Sequence, residues 1–305
     1  MQPSERKHIF IVNPKAGKRD STEFVRDQIA RLGDDYACEV YITTCEGDAI
    51  RYVRERCRCE NDTLLRFYAC GGDGTLNEVV TGAIGNNNVE VSCLPVGSGN
   101  DYVKYYGGAE GFLDIRRLVD GDVREVDVMR VGDRYSINVC NFGFDAVVCR
   151  TMTEVRRKPI FGGRNAYTTG ILKALFVGRR TPCRISVDGK VVNDGEILLC
   201  TMGNGRYVGG AYMCSPLSKN DDGQIEICMF CPMTILNFAR LIGSYRDGTF
   251  IHRDDVQDKM VYLRGKSIDI EAPDEIDVCV DGEIVRNKKF HIEQMPKAIR
   301  FVAPK

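Results

Sequence analysis

Three short segments rich in glycine and small polar residues carry the residue types that bind phosphate. They span residues 13–18 (NPKAGK), 71–75 (GGDGT) and 97–101 (GSGND). Glycine suits this chemistry because phosphate oxygens must approach backbone N–H groups closely, and a β-carbon would block them. One such segment is usually only a turn, but each of these follows an apolar strand-like run. We therefore expect all three at the carboxyl edge of one parallel sheet, where ligands bind.

The helix that begins near Thr75 adds the positive end of its dipole, which favours an anion. None of the three segments fits G-x-x-x-x-G-K-[ST] or G-x-G-x-x-G. The sequence therefore predicts a phosphate-binding site that is neither a P-loop nor an ordinary dinucleotide site.

Two patterns divide the chain. Up to about residue 127, strands alternate with helices, which predicts an α/β domain with a largely parallel sheet. The strands are expected at 8–12, 39–42, 64–69 and 91–95, and the helices from 20 or 21, at 48–57 and at 75–84. After this point short alternating strands predict an antiparallel β-sandwich. These strands are expected at 135–141, 183–187, 197–202, 225–229, 267–271 and 276–280, with helices at 164–177 and 233–245. We expect domains at 1–127 and 128–305, with a last strand at 297–305 that can return to the first domain.

Composition narrows the class of protein. The chain has 42 lysines and arginines against 43 acidic residues, and this balance argues against a nucleic-acid binder. No secretory signal is seen in front of the 14 cysteines, so we expect reduced thiols rather than disulfides. Cys228 and Cys231 have zinc-ligand spacing but lack a second such pair, which favours structural thiols. No apolar run is long enough to span a membrane, so we expect a soluble, cytoplasmic protein with at most peripheral membrane contact.

Longer motifs resemble one known family. Residues 71–78 (GGDGTLNE), 94–101 (LPVGSGND) and 13–17 (NPKAG) resemble the diacylglycerol kinase catalytic-domain family, which includes bacterial diacylglycerol kinases and sphingosine and ceramide kinases. The resemblance continues in order through residues 141–145, 203–205, 209–210, 222–223 and 281–283. It implies an N-terminal domain like that of NAD kinases and diacylglycerol kinases, followed by a β-sandwich. It also implies ATP and Mg²⁺ as cofactors and a lipid hydroxyl as acceptor, with diacylglycerol first.

The same resemblance assigns the nucleotide site. Asp73 would lie near the phosphates and their Mg²⁺, a hard ion that prefers oxygen ligands, and Asp101 would line the cleft. Lys15 or Lys18 could supply positive charge. The residues implied in ATP binding are Asn13, Pro14, Lys15, Gly17, Thr43, Gly71, Gly72, Asp73, Gly74, Thr75, Leu76, Asn77, Gly97 and Ser98.

The resemblance places a general base in the segment 281–283 (DGE). Glu283 would take the proton of the acceptor hydroxyl, with Asp281 as a further catalytic residue. The residues alone also fit a β-hairpin turn, and segment 187–192 (VDGKVV) is almost a copy of 280–285 (VDGEIV). The glutamate at position 283, where the copy has Lys190, favours the catalytic interpretation.

A second, structural Mg²⁺ is implied at Asp222, with the backbone carbonyls of Lys219 and Gln224 as further ligands. An Asp-Gly turn explains this segment equally simply.

One segment of the second domain could contact a lipid surface. Segment 164–177 has apolar residues at helical spacing between basic flanks, which suits either a membrane surface or the cover of a sheet. Family members are often dimeric, so a homodimer is expected from the resemblance. The alternatives are a soluble kinase like NAD kinase, a kinase of sphingoid bases, ceramide or another lipid, and a non-catalytic nucleotide- or lipid-binding protein.

Overall fold

The computed structural model describes residues 6–33, 35–156 and 180–305. Contacts divide the chain into two compact units. Unit 1 comprises Met1–Val128 and Met295–Lys305, and unit 2 comprises Met129–Gln294. The predicted helix at 164–177 lies outside the described residues.

Unit 1 is built on a parallel sheet with the strand order β2-β1-β3-β4. The strands are β1 (Arg6–Val12), β2 (Ala37–Ile42), β3 (Leu64–Gly71) and β4 (Val89–Pro95). Residues 65–71 of β3 and all of β4 are buried without alternation, as expected for a parallel sheet that is covered on both faces. The helices are α1 (Thr22–Ala30), α2 (Asp48–Cys59), α3 (Asp73–Ala83) and α4 (Ile115–Val119).

The last strand, β14 (Glu283–Ala303), completes this sheet. Its residue Phe301 pairs with Val91 of β4 in parallel register. Ser92 donates its hydroxyl hydrogen to the carbonyl of Val302 at 2.8 Å, so the end of β14 is bound to β4 by a side chain as well.

Unit 2 is an antiparallel β structure in which β12, β11, β10, β7, β13 and β14 follow one another, β8 joins β13, and β9 joins β8. Strand β5 (Asp122–Val131) begins in unit 1 and ends in unit 2. The other strands of unit 2 are β6 (Arg134–Ser136), β7 (Val139–Gly143), β8 (Thr181–Val187), β9 (Lys190–Ile197), β10 (Leu199–Gly203), β11 (Ile225–Phe230), β12 (Met260–Gly265) and β13 (Ser267–Val280), together with residues 283–294 of β14. The helices are α5 (Phe144–Arg156), α6 (Ile235–Asp247) and α7 (Asp254–Gln257).

The two faces of β7 contribute to different cores. Phe142 packs with strand residues such as Ile185 and Ile270, which form the interior of the sandwich. Val139, on the other face, packs with Phe238 and the rest of a helix-covered core. The predicted fold class, an α/β domain followed by a β-sandwich, is confirmed.

Several predicted elements differ in the structure. The predicted strand 135–141 is two strands in the structure, because residues 137–138 separate β6 from β7. The predicted strands 267–271 and 276–280 are one strand with an irregular register between Glu271 and Ile276. Helix α5 is not among the predicted elements, although it directly follows β7. No helix within the described ranges is long and apolar enough to cross a membrane.

Candidate active site

The three glycine-rich loops of unit 1 are joined by backbone hydrogen bonds at the carboxyl ends of β1, β3 and β4. The carbonyl of Gly71 accepts from the N–H groups of Val96 and Gly97, each at 3.0 Å. The N–H of Asn13 donates to the carbonyl of Cys70 at 3.0 Å. Because β1, β3 and β4 are neighbours in one parallel sheet, these bonds hold the loops side by side along one edge.

The glycines in these loops permit approaches that no other residue could make. A β-carbon on Gly97 would lie 2.3 Å from the Cα atom of Gly72. Gly17 has a φ of +76°, and a β-carbon there would lie 2.3 Å from the carbonyl oxygen of Val96. Such distances are far inside van der Waals contact, so alanine at either position would force the loops apart.

Two carboxylates converge in the same place. Asp73 is the first residue of α3, and its Oδ1 accepts from the N–H groups of Asp101 at 2.7 Å and Tyr102 at 3.1 Å. Asp101 forms an ion pair with Lys104 at 2.5 Å. A β-carbon on Gly99 would lie 2.9 Å from Asp73 Oδ2 and 3.5 Å from Asp101 Oδ2. The structure therefore brings these two predicted residues together, with oxygen atoms of the kind that Mg²⁺ prefers.

The hydroxyl and amide groups nearby mainly hold the loops. Asn13 donates its side-chain N–H to Thr75 Oγ1 at 3.1 Å, and a β-carbon on Gly71 would collide with the same hydroxyl. Thr43 bonds the carbonyl of Val12 through both its N–H at 2.9 Å and its hydroxyl at 3.3 Å. These predicted nucleotide residues lie at the carboxyl edge of the parallel sheet.

The other predicted nucleotide residues differ in exposure. Lys15, Lys18, Gly74 and Ser98 are exposed, Pro14 and Asn77 are half-buried, and Leu76 is buried. This edge of the sheet combines N–H groups at the start of α3 with exposed lysines and two carboxylates. Such a combination fits a nucleotide phosphate with its Mg²⁺.

Sequence reasoning missed two residues of this edge. Glu78 of α3 accepts from the N–H groups of Gly47 at 3.0 Å and Ala49 at 3.2 Å, and so caps α2. Asn100 has a φ of 51° and donates to the carbonyls of Pro95 and Gly97, each at 3.0 Å. Its buried Oδ1 has no hydrogen-bond partner among the described residues. The sequence signal for this conformation is an asparagine between a glycine and an aspartate, because asparagine tolerates the left-handed region of backbone conformation.

In unit 2, the segment 281–283 lies at the hairpin between β13 and β14. Asp281 and Gly282 have φ angles of 46° and 96°, and Val280 pairs with Glu283, which defines a two-residue turn of type I′. The Asp281 carboxylate accepts from Ser136 Oγ at 2.6 Å and from the N–H groups of residues 137–139 at 2.9 to 3.2 Å. Asp281 thus fixes the chain between β6 and β7.

The copy of this turn between β8 and β9 has the same geometry. Asp188 and Gly189 have φ angles of 47° and 76°, and Asp188 Oδ1 accepts from the N–H groups of Lys266 and Ser267, each at 2.9 Å. Those hydrogen bonds hold the pKa of Asp188 below its ordinary value against the opposing effect of burial. Both segments are therefore hairpins, as the simpler interpretation predicted. At the position after the Asp-Gly turn, one has Glu283 and the other has Lys190.

Glu283 presents its carboxylate at the end of the hairpin. It forms an ion pair with Arg134 at 2.6 Å, and 38% of its side chain is exposed. The carboxylate is thus oriented by a cation and accessible to a hydroxyl group that comes within hydrogen-bond reach.

The residues predicted to hold a structural Mg²⁺ lie at the turn before β11. Asp222 Oδ1 accepts from the N–H of Gln224 at 3.1 Å, and its other oxygen pairs with Arg264, which also pairs with Glu226. Burial raises the pKa of Glu226, whose buried Oε2 has no hydrogen-bond partner in the described part of the chain. The oxygens of Asp222 and Glu226 are of the kind that Mg²⁺ prefers, but the Arg264 guanidinium pairs with both carboxylates.

Comparison with known proteins places the chain in a family. Residues 7–131 match the diacylglycerol kinase catalytic domain, and residues 138–303 match the YegS C-terminal NAD kinase beta sandwich-like domain. The chain is 32% identical to the probable lipid kinase YegS of Salmonella arizonae and 31% identical to that of Salmonella gallinarum, each over 97% of this chain and 95% of the relative. A solved diacylglycerol kinase from Bacillus anthracis strain Sterne shares the fold, with a TM-score of 0.72, 23% identity, and coverage of 97% of this chain and 96% of that one.

The chain belongs to the lipid kinase family that joins a diacylglycerol kinase catalytic domain to a YegS-type β-sandwich domain. The resemblance inferred from residues 13–17, 71–78 and 94–101 is therefore confirmed.

Proposed function

We propose that this protein is an ATP- and Mg²⁺-dependent lipid kinase that transfers the γ-phosphoryl group of ATP to a lipid hydroxyl. Diacylglycerol, which would give phosphatidic acid, is the acceptor that we place first. The observation that carries the proposal is Asp73, held at the start of α3 by the N–H groups of Asp101 and Tyr102 in a chain of this family.

On the nucleotide side, the phosphates would bind the N–H groups of residues 71–75 and the N-terminus of α3. Lys15 and Lys18 would add positive charge. Mg²⁺, held by Asp73 with Asp101 beside it, would neutralise phosphoryl oxygens, which is most of what phosphoryl transfer needs from a protein. The hydrogen bonds to Asp73 Oδ1 fix this carboxylate before any ligand arrives.

On the acceptor side, Glu283 would take the proton of the lipid hydroxyl. Arg134 orients the Glu283 carboxylate, and Asp281 fixes the hairpin that carries it. In this proposal Glu283 is the catalytic residue and Asp281 positions it. The ion at Asp222 would stabilise the turn before β11 and take no part in transfer.

The test is phosphorylation with labelled ATP of a panel that contains diacylglycerol, a sphingoid base, ceramide, a polyprenol, a glycerophospholipid and NAD. We expect a labelled lipid, and Asp73→Asn should lower turnover by about a hundredfold or more. The matched control is Asp62→Asn, which changes an exposed aspartate of unit 1 and should leave turnover unchanged. Label in NAD alone would show a soluble kinase instead, and ATP binding without any labelled product would show a non-catalytic protein.

Peripheral membrane association and a homodimer are also part of the proposal. We expect sedimentation with vesicles that contain anionic phospholipid, and weaker sedimentation after Arg156, Arg157 and Lys158 are replaced by glutamine, because these charges would contact headgroups. Equal sedimentation of both proteins would reject the basic flank as the contact. Light scattering would give the oligomeric state.

A further inference from the structure

Two cysteine side chains of unit 2 meet beside the hairpin that carries Glu283. Cys149 lies on α5 and Cys279 lies on β13, and their sulfur atoms are 3.1 Å apart. Cys149 is half-buried, whereas Cys279 is 4% exposed. Cys149 also donates its S–H hydrogen to the carbonyl of Gly282 at 3.3 Å.

The secondary structure fixes this approach. Cys279 pairs with Asn141 on β7 and with Ile284 on β14, so it lies in the middle of the sheet. Helix α5 begins at Phe144, directly after β7, and therefore keeps Cys149 close to the same strand. Neither residue belongs to the nucleotide site or to the proposed base.

We propose that Cys149 and Cys279 are an oxidation site at which a low-molecular-weight disulfide converts the two thiols into an intramolecular disulfide. The 3.1 Å between the sulfur atoms must shorten by only about 1 Å to reach bonding distance. This proposal stands on its own as a modification site; its effect on phosphoryl transfer rests on the proposed function.

The order of steps follows from exposure. Cys149 loses its proton and attacks one sulfur of the reagent R′S–SR′; a Cys149–SR′ bond forms, the R′S–SR′ bond breaks, and R′S⁻ takes up a proton. Cys279 then loses its proton and attacks the sulfur of Cys149, which forms the Cys149–Cys279 bond and releases a second R′SH. The protein loses two electrons and two protons, and the reagent gains them.

Cys279 is suited to the second step and not to the first. Its burial keeps external reagents away from the sulfur atom. The hydrogen bond to Cys149 and the burial together raise the pKa of Cys279 well above its ordinary value. A thiol with a raised pKa is a weak nucleophile, so the second step depends on the 3.1 Å that separates the Cys279 sulfur from that of Cys149.

The disulfide would alter the hairpin. Oxidation removes the S–H group that Cys149 donates to Gly282 and draws α5 towards β13. Glu283 directly follows Gly282, so we expect oxidation to slow phosphoryl transfer reversibly.

The experiment treats the full chain with oxidised glutathione, blocks the remaining thiols and maps peptides by mass spectrometry. We expect a peptide pair joined through Cys149 and Cys279, which dithiothreitol separates. Cys231→Ala, which removes an exposed cysteine of the same unit, should leave the pair intact. Cys279→Ala should stop the reaction at the glutathione adduct of Cys149, and Cys149→Ala should leave Cys279 unmodified.

A wild-type protein that ends as the Cys149–glutathione adduct, or that links Cys149 to another cysteine, would overturn the proposal. These readouts need no kinase activity, so they stay decisive if the proposed function fails. Where activity is present, oxidised wild-type protein should lose at least severalfold in turnover and regain it with dithiothreitol, while Cys149→Ala should be insensitive to oxidant. Full activity of the cross-linked protein would overturn the regulatory consequence.

Discussion

At the residue scale, the two matched hairpins allow the catalytic role of one side chain to be tested apart from the structure of the turn. Glu283 and Lys190 occupy equivalent positions after the same Asp-Gly turn. We predict that Glu283→Gln lowers the turnover number by about a hundredfold or more, because glutamine cannot accept the proton of the acceptor. Lys190→Gln is the control and should leave turnover unchanged. Steady-state kinetics with the acceptor found in the panel measures both, and a near-normal Glu283→Gln enzyme would remove this residue as the base.

Asp281 should affect stability more than Glu283 does. Its carboxylate accepts hydrogen bonds from Ser136 and from three successive N–H groups, so Asp281→Ala leaves several buried donors without a partner. We predict a loss of about 3 kcal/mol or more in the free energy of unfolding.

Urea unfolding checks this loss, with Asp188→Ala as the matched variant at the more exposed copy. Asp188 accepts fewer of these bonds, so its loss should be smaller. Equal losses for the two variants would mean that the hydrogen bonds of Asp281 to residues 136–139 add nothing to the free energy of unfolding beyond what a hairpin aspartate contributes.

At the element scale, α2 begins where a side chain of α3 provides its cap. Glu78 accepts from the N–H groups of Gly47 and Ala49, and no side chain of α2 itself caps these groups. We predict that Glu78→Ala costs about 1 to 2 kcal/mol of stability, because the first turn of α2 loses acceptors and a charge that favours its dipole. Chemical denaturation measures this, with Glu55→Ala in the middle of α2 as control. A loss no larger than that of Glu55→Ala would contradict the cap.

Strands β1 to β4 could be predicted from sequence because each is mostly apolar and ends in a polar or glycine-rich loop. The edge with Asp73 and Asp101 followed from parallel topology. The break between β6 and β7 could not be predicted, because the acceptor that satisfies its N–H groups is Asp281, about 145 residues away in the chain. Helix α5 was hidden for a related reason, since its stability depends on packing against strands that follow later.

At the scale of the whole molecule, two buried groups, one in each unit, should respond to acid in opposite directions. Burial lowers the pKa of His8 in unit 1 to about 4. The unfolded chain therefore takes up this proton near pH 6.5 while the folded unit does not, and stability falls as pH drops from 6.5 to about 4. Burial raises the pKa of Asp145 in unit 2 to about 6. Here the folded state holds the proton more tightly, so stability rises as pH drops from about 6 to 3.8.

Hydrogen exchange at about pH 5 and about pH 7, corrected for the intrinsic exchange rate, measures this difference. We predict that peptides from β1 lose protection from exchange at the lower pH. Peptides from α5 should lose less protection than those from β1, or gain protection. His8→Gln should remove the loss in β1, and Asp145→Asn should remove the gain in α5. The same pH response in both variants as in the wild type would assign the effect to other groups.

The return of β14 to β4 sets a condition on how the protein is made. A ribosome releases residues 1–128 long before residue 301, so the nascent first unit must wait with the outer edge of β4 unpaired while the whole of the second unit is synthesised. An open edge strand invites pairing with other chains. Translation therefore leaves unit 1 vulnerable to aggregation until β14 has been synthesised.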